Sequence, residues 1–155
     1  MTYPTYFESK KSLDLFGLFD NFSLLKKLYI NKNLPKVLMM SGKKGSGKST
    51  LINHLMYYIF DQDNYNEQNC TFSSHSAFYN QFINNIFSNI IYLSGTDLKN
   101  TKIEDIRILK TKIYQTSISA KPRFIIFDDV ELFNNNSLNA LLKTIEEPSD
   151  KNFFL

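Results

Sequence analysis

The octapeptide Gly42-Lys43-Lys44-Gly45-Ser46-Gly47-Lys48-Ser49 matches the spacing G-x-x-x-x-G-K-[ST] in full, and its flanks restrict the fold. Before it stands Val37-Leu38-Met39-Met40, a short apolar run between Pro35 and Gly42. Such a run reads as a strand buried on both faces, as in a parallel sheet. After it, Leu51, Ile52, Leu55, Met56 and Ile59 recur at helical spacing from about Lys48. In a strand–loop–helix order, backbone N–H groups of the loop and the helix N-terminus converge into a nest for an anion. Glycine allows the backbone to approach that anion closely. Lys48 then sets a point charge on the β and γ phosphates of a nucleotide. The Ser49 hydroxyl is a hard oxygen ligand suited to Mg²⁺. Gly42, Lys43, Lys44, Gly45, Ser46, Gly47 and Thr50 complete the expected phosphate-binding set. The plainer alternative is a glycine turn that caps a helix, with Lys48 solvated.

The remaining pattern alternates between helix and strand. A helix is expected from Phe19, with Phe22, Leu25, Leu28 and Tyr29 along one face. Residues 61–76 are polar and read as loop or short irregular elements. Phe78, Phe82, Ile86 and Ile90 keep helical spacing, running into a strand over Ile90 to Leu93, and Gly95-Thr96-Asp97 is turn chemistry. Thr101 with Glu104 forms a capping box, opening a helix that carries Ile103, Ile106, Ile113 and Ile118. Past Pro122, Phe124-Ile125-Ile126-Phe127 is a second fully apolar strand and ends in Asp128-Asp129. Leu138, Leu141, Leu142 and Ile145 mark an amphipathic helix that stops at Pro148. Phe153-Phe154-Leu155 opens a further strand. The expected class is therefore α/β, a parallel sheet flanked by helices with right-handed crossovers. Because the last strand has only three residues, the 155 residues read as one domain cut from a larger protein.

Composition excludes several classes. With 43% apolar and 21% charged residues, the chain is no disordered, collagenous or coiled-coil protein. No apolar run approaches the roughly 18 residues of a membrane span, and Pro4 lies in a start that lacks the features of a signal peptide. Cys70 stands alone, which precludes an internal disulfide or a cysteine-rich zinc site and points to the cytoplasm. A net charge of +3 is too mild to argue nucleic-acid binding by itself. Asn134-Asn135-Asn136 reads as compositional drift in an Asn- and Lys-rich chain. His54 and His75 lack companions at ligand spacing and read as structural or solvated. Ser46 and Ser49 lack the His and Asp partners of a nucleophile. Aromatics from Phe78 to Tyr92 read as core rather than as a base-stacking platform. Lys10, Lys11, Lys26 and Lys27 read as a solvated helix face.

The second acidic motif belongs with the loop. At the carboxyl end of a parallel strand, Asp128 is expected to reach the metal through water, and Asp129 to orient or deprotonate the attacking water. The bland alternative makes the two aspartates an N-cap for the next segment.

From here the chain resembles a known family. Asp128 to Asn134, followed by Leu138-Asn139-Ala140-Leu141-Leu142-Lys143-Thr144-Ile145-Glu146-Glu147-Pro148, resembles the bacterial replicative clamp-loader ATPases of the AAA+ superfamily. Leu15-Phe16-Gly17, Leu34-Pro35 and Ile103-Glu104-Asp105-Ile106-Arg107 are similar to other segments of that family. The resemblance implies a RecA-like AAA+ nucleotide-binding domain over 1–155, with sensor, arginine finger, lid and collar beyond residue 155. It implies ATP and Mg²⁺ as cofactors, and as partners the gamma/tau and delta subunits, the sliding clamp and primer–template DNA, with no membrane. Three departures favour the family's delta-prime type over its gamma/tau motor: the Leu15-Phe16-Gly17 turn, Asp129 where the motor carries Glu, and the absence of the motor's four-cysteine zinc module. Asp129 holds its carboxylate one methylene further back, about 1 Å, so hydrolysis is expected to be slow or negligible. Arg107 and Arg123 are not in the family's finger position. The alternatives are the gamma/tau motor itself, or a stator module that holds no nucleotide. An unrelated P-loop kinase would leave Asn139 to Pro148 unexplained.

Overall fold

A computed structural model of the chain describes residues 11–95, 103–114 and 121–155. Pro4, Lys10, Thr96, Asp97, Thr101 and Ile118 lie outside the described residues, as do the side chains of Ile103, Glu104, Asp105 and Arg107. The fold divides into two compact units, one from the chain before Pro35 with Met40–Ile86, the other from Pro35–Met39 with Phe87–Leu155.

The first unit is built on helices α1 (Phe19–Ile30) and α2 (Lys48–Phe60). A hairpin of β1 (Tyr65–Asn66) and β2 (Thr71–Phe72), then helix α3 (Ala77–Ile83), completes it. Every residue from Leu51 to Ile59 in α2 is buried, so the helix is enclosed on all sides rather than amphipathic. Aromatic rings enclose it. Tyr57 stacks on Phe72 at 4.4 Å and meets Phe82 edge-on at 5.4 Å, while Phe22 of α1 lies 5.4 Å from Tyr65. Such pairs add about 0.5–1.5 kcal/mol each beyond the area they bury. Phe78, Tyr79 and Phe82 are core, as their spacing implied. Helix α3 nevertheless ends at Ile83, because Asn85 turns left-handed at φ 56°, and Ile86 is left exposed. Within residues 61–76 the irregular stretch resolves into a short 3₁₀ turn, Gln62–Asn64, and the hairpin. Lys26, half-exposed, pairs with Glu67 of the hairpin at 2.6 Å and lies 5.6 Å over the Tyr58 ring.

His54 sits fully buried in this aromatic shell, its Nδ1 3.0 Å from the Tyr65 hydroxyl. Burial lowers its pKa to about 4, because an apolar surrounding disfavours the imidazolium. The folded protein keeps His54 neutral down to about pH 4, whereas the unfolded chain takes up the proton near 6.5. Its contribution is therefore complete above pH 6.5 and is lost as the pH falls towards 4, of order 3 kcal/mol across that window. In urea unfolding at pH 7 and pH 4.5, His54→Phe should show a shallower loss of stability on acidification than wild type. An equal loss in both proteins would remove His54 from the account.

The second unit carries the parallel sheet: β3 (Ile90–Ser94), β4 (Arg123–Asp128) and β5 (Asn152–Phe154), in the order β3-β4-β5. Helix α4 (Ile103–Tyr114) links β3 to β4, and α5 (Asn135–Glu146) links β4 to β5. Ile125 and Phe154 are paired across strands, so they share a face. Ile106 and Ile113 of α4, with Leu141 of α5, close over them. On the opposite face Phe124 and Ile126 are buried too, so β4 is the central strand the apolar run implied. Arg123 opens β4 and is buried, donating to the Lys112 and Ile113 carbonyls at 2.9 and 3.0 Å. It thereby caps the C-terminus of α4, where a cation also meets the negative end of the helix dipole.

The run before the glycine loop departs from expectation. Residues 36–38 pair with β5 through a single parallel bridge, Val37 to Phe154, flanked by bonds from Leu38 N to Phe154 O and from Phe154 N to Lys36 O. Val37 is 44% exposed and Met39 81%, so this segment is not buried on both faces. Among the described residues it lies at one edge of the sheet, where alternate side chains face water. Its direction matters more than its burial: parallel to β5, it leaves the sheet at the edge where β4 delivers Asp128.

Candidate functional site: a glycine loop and a strand-end acid

The loop belongs to the first unit. Gly42 to Ser46 are exposed, and Ser46 N donates back to Lys43 O at 3.2 Å. Gly47 caps α2 in the left-handed region, φ 84°, where a Cβ would also lie 2.9 Å from Leu18 Cδ1. The left-handed backbone is what calls for glycine, since the Leu18 tip can shift. No side chain caps the N-terminus of α2 and no acid occupies its first turn, which leaves the helix dipole and its first N–H groups to an anion. The Lys48 ammonium folds over the loop, donating to Gly42 O at 3.0 Å and Lys43 O at 3.1 Å. Ser49 and Thr50 follow in the first turn, half-buried, whereas Lys43 and Lys44 are exposed. An ammonium, a hydroxyl and uncapped amides are the donor set a polyphosphate needs, so these residues fit a nucleotide.

The acids belong to the second unit. Asp128 ends β4 in register with Ser94 of β3 and accepts a hydrogen bond on Oδ2 from the Tyr92 hydroxyl. Asp129 is held left-handed, φ 51° and ψ 51°, a conformation a non-glycine residue adopts at a cost of about 1–2 kcal/mol. Its carbonyl accepts from Leu132 N at 2.9 Å and so starts the 3₁₀ turn Val130–Leu132, but its side chain caps nothing. The cap of α5 is Asn134, whose side chain accepts from Ser137 N at 2.8 Å. The Asp129 side chain is therefore not the N-cap, and Asn134 is no drift.

Two residues of this region escaped sequence reasoning. Gly95, read only as a turn residue, packs against the acidic turn: a Cβ there would lie 2.2 Å from Asp129 O and 2.8 Å from Leu132 Cβ. Tyr92 carried no signal beyond its place in an apolar run. Among the described residues, no group of three or more His, Cys, Asp or Glu side chains could hold a metal ion. A magnesium ion at Ser49 or Asp128 would then draw most of its ligands from phosphates and water, as that ion commonly does.

The sheet, the crossover helices and the loop define the class, an α/β domain of the RecA-like AAA+ type. The chain belongs to the DNA polymerase III delta subunit family, whose model matches residues 20–155. It is 27% identical over 112 residues to DNA polymerase III subunit gamma of Buchnera aphidicola subsp. Acyrthosiphon pisum (strain APS), covering 72% of this chain and 30% of that protein. With DNA polymerase III subunit delta' of Buchnera aphidicola subsp. Schizaphis graminum (strain Sg) it shares 33% over 52 residues, 34% of this chain and 16% of that one. The gamma subunit of the latter organism is 42% identical over 48 residues, 31% of this chain and 13% of its own length. Each match thus spans less than a third of the relative. No described helix is long and apolar enough to cross a membrane.

Proposed function

We propose that this chain binds ATP–Mg²⁺ as the nucleotide-binding domain of a delta-prime clamp-loader subunit, and that it helps load the sliding clamp onto primed DNA during replication. The observation that carries the reading is the Lys48 ammonium folded over a glycine loop whose helix N-terminus has no side-chain cap. Lys48 and the amides of Gly42 to Thr50 bind the phosphates. Ser49 and Asp128 are the residues that would hold magnesium and its water shell, and Asp129 the one that would orient water. Nucleotide and metal supply the phosphoryl chemistry; the chain supplies charge and orientation. The partners in this reading are the gamma/tau and delta subunits, the clamp, and primer–template DNA met through the complex, all in the cytoplasm.

Two of the relatives carry the name gamma, which favours a motor subunit as the second reading. Asp129 supports delta-prime, because the shorter carboxylate and its left-handed backbone suit binding better than hydrolysis. Asp129→Asn, introduced into the full-length protein reassembled with its partner subunits, should lower total ATPase by less than about twofold, since the main hydrolytic sites then lie elsewhere. A loss of tenfold or more would assign the chain to the motor.

A further inference from the structure

Tyr92 and Asp128 stand on neighbouring strands of the second unit. Tyr92 pairs with Ile126, and Ile126 lies two residues before Asp128, so all three side chains share one face. Tyr92 is thus the diagonal neighbour of Asp128, a separation that an aromatic side chain spans and a serine or threonine does not. At its end the phenol hydroxyl donates to Asp128 Oδ2, and both residues are half-buried. A charge-assisted bond in such surroundings is stronger than one in water. It also restrains the plane of the carboxylate about its last torsion.

Resting on the nucleotide-binding reading above, we infer that Tyr92 is a positioning residue for the metal: its hydroxyl holds the Asp128 carboxylate in the single orientation that meets the water shell of nucleotide-bound magnesium. In this reading Tyr92 acts through Asp128 and not by direct contact with nucleotide or metal. Its effect therefore belongs to the magnesium-dependent part of binding and not to the contacts the glycine loop makes with phosphate.

The test is a cycle of four proteins, wild type, Tyr92→Phe, Asp128→Asn and the double variant, each titrated with a fluorescent ATP analogue in Mg²⁺ and in EDTA. The readout is the factor by which Mg²⁺ tightens binding. Tyr92→Phe removes one oxygen, so its affinity in EDTA should match wild type and also report an intact loop. Its tightening factor should fall about tenfold or more, the effect of one hydrogen bond to a charged group. In the Asp128→Asn background the same change should add nothing, because the acid through which it acts is gone. An undiminished factor in Tyr92→Phe would overturn the inference while leaving nucleotide binding in place. So would an equal fall in the Asp128→Asn background, which would mean Tyr92 acts by another route. Absence of binding by wild type in either buffer would instead sink the nucleotide reading, and this inference with it.

Discussion

Replacing Lys48 with alanine should weaken ATP–Mg²⁺ binding roughly 100-fold, about 2.7 kcal/mol, while leaving the fold intact. The two halves of that expectation come from one geometry. Among the described residues the ammonium is held by the Gly42 and Lys43 carbonyls of an exposed loop, at 3.0 and 3.1 Å. Those carbonyls return to water when the side chain is cut, so the stability cost should stay within about 1 kcal/mol. A bound phosphate loses its one point charge at close range and has no such recourse. Lys48→Arg should not rescue binding, since the planar guanidinium cannot replace a compact ammonium inside a tight backbone turn. Lys43→Ala and Lys44→Ala, exposed in the loop, should change affinity by less than about threefold. Equilibrium titrations paired with thermal melts separate the outcomes. Equal losses of affinity across all three lysines would reduce the site to a diffuse basic patch.

The second large effect is steric. Gly95→Ala would place a methyl 2.2 Å from Asp129 O and 2.8 Å from Leu132 Cβ, and the first of these atoms is backbone. No rotamer change relieves it; either the end of β3 or the Asp129–Leu132 turn must move. Overpacking of this kind costs about 1–3 kcal/mol and more where backbone is displaced, so at least about 2 kcal/mol is expected. For a chain of this size that is a fall of roughly 4–8 °C in Tm. Because the displaced turn carries Asp129 and follows Asp128 directly, magnesium-dependent binding should weaken as well, with affinity in EDTA retained. A melt unchanged from wild type would show that the close approach of Gly95 to the acidic turn does not hold in solution.

What the sequence disclosed follows from which interactions leave a local trace. The loop was legible because phosphate chemistry needs Gly, Lys and Ser at set spacings, and its helix begins at Lys48 as the motif requires. Strand β4 was legible because a central parallel strand must be apolar on both faces. Val37 to Met40 carries the same signature but lies at the sheet's edge, and four residues do not distinguish the two positions. The β1–β2 hairpin was invisible, since its strands have two residues each and are held by Phe22 and Tyr57 from distant parts of the chain. Arg123, Gly95 and Tyr92 share the reason they were missed. Each acts through a partner brought close by tertiary structure, and none has an unusual neighbour in sequence.

The central claim is that this chain holds a nucleotide through the loop at Gly42 to Ser49. Its most direct test is an equilibrium titration of the wild-type protein with a fluorescent ATP analogue in the presence of Mg²⁺. Saturable binding at micromolar nucleotide is expected, displaced by unlabelled ATP and weakened roughly 100-fold by Lys48→Ala. No binding at millimolar nucleotide would contradict it, and would make the chain an assembly module whose loop keeps the shape of the site without its function.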